Sequence, residues 1–191
     1  MRSSESTPSP RPRAPVRRLV LVVGDDHPKR CTGRRLLHRG LADPFHRTNE
    51  RGFPPIVLDP FAPAPLSARD RATAVRGGLL AVDCSWNRLS ERGSFGNSER
   101  GLPRGGVHRR LPLLLAANPQ HYGRVGELNT AEALAAGLYL LGEPGTARAM
   151  LAGFPGGNAF FEINRERLEA YQRARTAPSV LAEERRLFGG A

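Results

Sequence analysis

Three short stretches carry the side chains best suited to chemistry: Asp83-Cys-Ser-Trp86, Asn118-Pro-Gln-His-Tyr-Gly123 and Leu128-Asn-Thr-Ala-Glu132. Asp83 can act as a general base or accept a hydrogen bond from a ligand's amine; the ordinary alternative is a cap for the turn that follows. Trp86 is the only tryptophan, and its flat ring suits a flat or cationic group, or else an anchor in the core. Cys84 is a conceivable nucleophile, although a cysteine closing a buried strand more often serves packing. Glu132, near the start of an alanine-rich helix, reads as a first-turn charge complementing the helix dipole. The histidines at 27, 38, 46, 108 and 121 include no pair at i,i+4, and no Walker loop, GxGxxG, HExxH or CxxC is present. The usual phosphate, dinucleotide and zinc signatures are therefore absent, and no metal is expected.

The elements that must position these residues are legible as short apolar runs. Leu19-Val-Leu-Val-Val23 is a continuous aliphatic run ended by Gly24-Asp-Asp26 and predicts a strand buried on both faces. Ile56-Val-Leu58 and Leu79-Leu-Ala-Val-Asp83 predict two more, and Leu111 to Ala117 is read as a fourth. Helices are expected from Thr32 to Gly40 and over Leu66 to Gly77, the latter with Ser67 as N-cap and Asp70 completing a weak capping box. From Asn129 onward the pattern is helical: Thr130 to Leu141, Thr146 to Ala152 and Phe160 to Ala174, with Pro178 to Ala191 as a frayed helix or tail. Strands alternating with helices imply parallel pairing through right-handed crossovers, an α/β sandwich with ligands at the carboxyl edge of the strands. That edge would collect Asp59, Asp83 and Asn118.

The chain has 191 residues, enough for one sizeable core. Its 29 lysines and arginines against 18 acidic residues give +11, a field that points to a polyanionic partner. Lys29 is the sole lysine, so the cations are almost all arginine, the residue best suited to bidentate phosphate contact. Two cysteines support no disulfide framework, so a reducing cytoplasm is the expectation, and the apolar runs fall far short of the ~20 residues a bilayer demands. Residues 1–18, rich in proline, serine and arginine, are expected to be a disordered basic arm without a signal peptide or anchor. Between Trp86 and Leu111 lies a long glycine- and arginine-rich connection whose Arg92, Arg100, Arg104, Arg109 and Arg110 could meet phosphates, or which is merely a solvated insertion.

The chain resembles the small-subunit rRNA aminocarboxypropyltransferases of ribosome biogenesis. The resemblance is carried in order by His27-Pro-Lys-Arg-Cys-Thr-Gly33, Leu58-Asp-Pro-Phe61 with Leu66-Ser-Ala-Arg-Asp70, Val82-Asp-Cys-Ser-Trp86, Arg110-Leu-Pro-Leu-Leu-Leu-Ala-Ala-Asn-Pro119 with Tyr122-Gly123, Leu128 to Leu134, and Gly157 to Leu168 with Phe161-Glu-Ile-Asn164. It implies a SPOUT-like α/β domain over residues 19–175, divided into an N-terminal part, 19–60, and a cofactor-binding part, 61–175, closed by a deep trefoil knot, with 176–191 as a tail. It also implies S-adenosylmethionine as donor, held largely through backbone at Thr32, Leu58, Val82, Leu111 and Thr130 with Trp86 on its methionine end. Asp83 is then the candidate base for N3 of a uridine or N1-methylpseudouridine in small-subunit rRNA. Lys29, Arg30, Arg34, Arg35, Arg109 and Arg110 are the expected RNA contacts, the pre-ribosomal small subunit the partner, and a cytoplasmic monomer the expected state.

Two features depart from the family pattern: the connection after Trp86 is longer and richer in arginine, and Gly126 stands where an aromatic is common. Two other functions remain open at this point, an S-adenosylmethionine-dependent RNA methyltransferase and a non-catalytic rRNA-binding assembly factor. Donor labelled in its carboxyl carbon or in its methyl separates the three.

Overall fold

The computed structural model describes residues 13–23, 31–46, 52–83 and 105–189. Among them, strands β1 (Arg18–Val22), β2 (Asp43–Pro44), β3 (Ile56–Leu58), β4 (Leu79–Asp83) and β5 (Val107–Arg109) form one sheet in the order β2-β1-β4-β3-β5. Every neighbouring pair is parallel. Helices α1 (Thr32–His38), α2 (Arg71–Gly77), α3 (Thr130–Leu140), α4 (Pro144–Leu151), α5 (Gly157–Ile163), α6 (Arg165–Arg173) and α7 (Ala177–Phe188) complete the described elements.

Pleating divides the strands between two clusters. Val20, Ile56, Leu58, Leu79 and Ala81 join the main core, to which every described helix adds buried side chains such as Leu36, Ala74, Leu134, Met150, Phe160, Leu168 and Val180. Leu19, Leu21, Val57 and Leu80 form a smaller cluster on the opposite face, packed by Val23, Phe45 and Val82. Strands β1, β3 and β4 are thus buried on both sides, as their unbroken apolar runs require. Helix α3 runs through the middle of the main core, where its alanines permit close approach to the sheet. Each fully buried leucine there, such as Leu134 or Leu138, contributes about 1.5–3 kcal/mol.

The expected capping box is present at Ser67 and Asp70, where it initiates a 3-10 turn, Ala68–Asp70, ahead of α2. Four expectations change. Leu111 to Ala117 is extended but does not join the sheet; the last strand is instead β5, within the stretch read as a connection. Its residues are all half-buried and include a histidine and an arginine, so no apolar run announces it. The end of the stretch read as a disordered arm is held by the fold: Val16 is buried and donates its N–H to Glu143 Oε1 at 2.8 Å, while Arg71 bonds Ala14 O at 2.9 Å. The span read as one helix from Phe160 is two, α5 and α6, with the buried Asn164 between them.

The stretch read as a frayed helix or tail is a twelve-residue helix, α7, seated on the core by Val180 and Glu184 rather than frayed. Glu184 forms a bidentate pair with Arg110 (2.8 and 2.5 Å) and accepts the Leu113 N–H at 2.7 Å. Replacing Glu184 by alanine leaves a largely buried guanidinium and a backbone N–H without their acceptor. The expected loss of stability is about 2–3 kcal/mol, discounted for the solvent still reaching Arg110, and is read from the urea midpoint.

Candidate functional site

The parallel register aligns one end of every strand. Val22 lies opposite Asp83, Leu58 opposite Ala81, and Leu58 again opposite Arg109, so Leu58, Val82 and Asp83 gather at the carboxyl edge, and Leu111 follows two residues after the end of β5. Two helix starts close on that edge. Cys31, the N-cap of α1, donates its thiol to Asp83 Oδ2 at 2.6 Å, and Thr130, the first residue of α3, donates its hydroxyl to Asp83 Oδ1. One buried carboxylate therefore clasps both helices, and with them Thr32 and Thr130. Close approach is enforced at Gly33, where a Cβ would stand 2.7 Å from the Asp83 carboxyl carbon.

Burial is the largest cause pushing the Cys31 thiol up, to about 11, with the bond to Asp83 acting in the same direction. Cys31 is accordingly expected to resist iodoacetamide at about pH 8, since the thiolate is the reacting form. The folded thiol holds its proton more tightly than the unfolded one, so its contribution to stability is complete below 9.0 and is lost as pH rises toward about 11. Burial raises the Tyr171 phenol as well, adding a loss of the same sign at higher pH. Melting at stepped alkaline pH should record this decline, and Cys31→Ala should flatten its first part.

The second component is the extended segment 111–118. Backbone groups of its even-numbered residues pair with a hairpin: Gly126 N–H with Leu114 O (2.8 Å), Ala116 N–H with Arg124 O (2.9 Å) and Gly123 N–H with Ala116 O (2.8 Å). Backbone groups of Leu113, Leu115 and Ala117 are taken by side chains from the helices and the α5–α6 junction. Leu113 is held by Glu184 and by the Tyr171 hydroxyl, which donates to Leu113 O at 3.1 Å. The Asn164 amide accepts from Leu115 N and donates to Leu115 O, both at 2.8 Å, reproducing a strand partner. Ala117 N–H donates to Glu132 Oε1 at 2.8 Å. This is why a run with strand composition stays outside the sheet: a hairpin and four side chains satisfy its backbone.

Glu132 does more than complement a dipole. Its carboxylate is buried and also accepts Asn118 Nδ2 (2.7 Å) and the Asn129 N–H (2.9 Å). It thereby joins the end of the extended segment to the cap of α3, one residue before Thr130. Sequence reasoning missed this, although the Asn129-x-x-Glu132 spacing of a capping box was visible. Asn164 lay within the resemblance without an assigned task.

The expected RNA contacts divide. Arg109 pairs with Asp70 at 3.0 Å and Arg110 with Glu184, so both guanidiniums, each still partly exposed, carry an ion pair within the fold. Arg34 is exposed on the first turn of α1, and Arg35 lies over the Phe154 ring at 4.8 Å. Lys29, Arg30, Cys84, Trp86, Arg92, Arg100 and Arg104 lie outside the described residues.

These features define a parallel α/β protein in which buried polar side chains of the described residues meet at the carboxyl edge of the sheet. A family model described as "Ribosome biogenesis protein, C-terminal" matches residues 56–188. The 16S rRNA aminocarboxypropyltransferase of Methanopyrus kandleri is 44% identical over 163 residues, 85% of this chain and 93% of that protein. The protein of the same name from Saccharolobus solfataricus is 39% identical over 169 residues, 88% and 94% of the two chains. Among solved structures, the SAM-dependent rRNA:acp-transferase Tsr3 from Vulcanisaeta distributa superposes with a TM-score of 0.77 at 34% identity, covering 91% of this chain and 89% of that one. The chain belongs to the 16S rRNA aminocarboxypropyltransferase family.

Proposed function

We propose that this chain transfers the 3-amino-3-carboxypropyl group of S-adenosylmethionine to N3 of a uridine or N1-methylpseudouridine in small-subunit rRNA. The observation that carries the reading is the 44% identity to a 16S rRNA aminocarboxypropyltransferase across 93% of that relative. In the reaction N3 gives up its proton, the N3 lone pair attacks the terminal carbon of the aminocarboxypropyl chain, the C–S bond breaks, and methylthioadenosine leaves. A sulfonium presents three electrophilic carbons, so orientation decides which of them meets the nucleophile.

The residues assigned to donor binding are Thr32, Leu58, Val82, Leu111 and Thr130, with Trp86 against the methionine end. Supporting this is the clasp at Asp83, which sets the starts of α1 and α3 against the strand ends bearing Leu58 and Val82. Asp83 is assigned as the base for N3. Each of its oxygens already accepts one hydrogen bond, and a carboxylate oxygen retains capacity for a second.

The RNA is assigned to the side of Lys29, Arg30, Arg34 and Arg35, in keeping with the +11 charge. The SPOUT-like trefoil threading belongs to the same reading, supported by the passage of segment 111–118 between the hairpin and the side chains of α3, α6, α7 and the α5–α6 junction. So do a pre-ribosomal small-subunit partner, a monomer and a cytoplasmic location; no helix among the described residues is long and apolar enough to cross a membrane.

The test uses donor labelled in its carboxyl carbon or in its methyl, with small-subunit rRNA as acceptor. Carboxyl label in the RNA is expected; methyl label alone, or neither, overturns the proposal. Titration calorimetry should record association of the donor, weakened at least ~10-fold by Trp86→Ala through loss of the stacking surface.

A further inference from the structure

Four large apolar side chains are exposed among the described residues: Phe53, Phe61, Tyr122 and Val125. Phe53 lies under the Arg76 guanidinium at 5.0 Å, and Phe61 follows the end of β3. Tyr122, 63% exposed, and Val125, 45% exposed, share one hairpin, residues 118–127.

The hairpin is firmly built. Besides its backbone bonds to the extended segment, Asn118 Oδ1 accepts the His121 N–H at 3.1 Å, and the Glu127 carboxylate meets both the His121 ring and Arg124, the latter at 3.2 Å. Gly123 and Gly126 take φ of +80° and +79°, a left-handed conformation that glycine adopts freely. A rigid frame therefore holds a phenol ring out in solvent, where it adds little to folding. The frame stands on the donor edge: Asn118 bonds Glu132, Glu132 bonds the backbone of Asn129, and the neighbouring Thr130 bonds Asp83.

We infer that Tyr122 is a stacking platform for an unpaired base of the RNA substrate beside the target nucleotide, with the exposed Arg124 serving an adjoining phosphate. This rests on the reading that the substrate is RNA. One exposed ring two residues from an exposed arginine, with only Val125 as a further large exposed apolar side chain on the hairpin, suits a nucleotide better than a protein surface, and the net charge favours a polyanion. Stacking needs only the ring's face, so the hydroxyl is dispensable.

The experiment compares the parent chain, Tyr122→Ala and Tyr122→Phe for binding to a transcribed small-subunit rRNA and to a short, fully paired RNA duplex. Donor calorimetry and sedimentation run alongside. Tyr122→Ala should bind the transcript ~5- to 150-fold more weakly, the range covered by stacking of one base. Its donor affinity, melting temperature and duplex binding should be unchanged, and Tyr122→Phe should stay within ~2-fold of the parent. Equal transcript affinity in the alanine variant, or an equal loss on the duplex, overturns the inference. So does a parent dimer that Tyr122→Ala dissociates, or a parent that binds donor but not the transcript. A parent that transfers no carboxyl label instead defeats the functional reading, before any variant is made.

Discussion

Glu132→Ala is expected to lower stability by about 3–5 kcal/mol and to remove measurable donor binding. The alanine leaves three donors without their acceptor: the Ala117 N–H, the Asn118 amide and the Asn129 N–H. Each buried donor so abandoned costs about 1–3 kcal/mol, and water entering the vacated space recovers part of the sum. The functional loss follows from connectivity, because the carboxylate ties segment 111–118 to the cap of the helix whose first hydroxyl holds Asp83. Glu132→Gln should be milder, at about 1–3 kcal/mol. Its oxygen can still take the Ala117 N–H while its amide confronts two donors. Urea midpoints at constant m-value provide the measurement, and an alanine variant within ~1 kcal/mol of the parent would show that the carboxylate is no hub.

Asp83→Asn separates two roles that one carboxylate can combine. The amide matches the carboxylate in size, can accept from the Cys31 thiol, and can donate to a rotated Thr130 hydroxyl, so the clasp should survive with a small loss of stability. The amide cannot take the N3 proton. If Asp83 is the base, kcat falls by ~10²–10⁴-fold while calorimetry still records donor binding. A kcat within a few-fold of the parent would assign the proton to solvent and leave Asp83 as the residue that aligns α1 and α3. Single-turnover kinetics with saturating donor makes the distinction directly.

Several parts of the molecule were legible in the residues. Strands β1, β3 and β4 are unbroken aliphatic runs because a parallel strand covered on both faces admits little else. Helix α3 is announced by Asn129 and by alanine-rich composition, and the placement of Asp83 at a strand end follows from the break after Val82. The ordered motifs were enough to indicate the family, which the relatives then established over most of the chain.

Other features depended on partners distant in sequence. Leu111 to Ala117 has the composition of a strand, yet which groups would satisfy its backbone could not be read locally; besides the neighbouring hairpin they are side chains 15 to 71 positions away. Arg109 and Arg110 look like any other cations of a basic chain. Only the positions of Asp70 and Glu184 give them partners within the fold. The sequence by itself determined strands β1, β3 and β4, helix α3, the charge and the family, because periodicity, composition and motif order are local properties. The tertiary structure decided which carboxylates join elements and which arginines remain free, because a hydrogen bond depends on proximity in space, which chain order does not record.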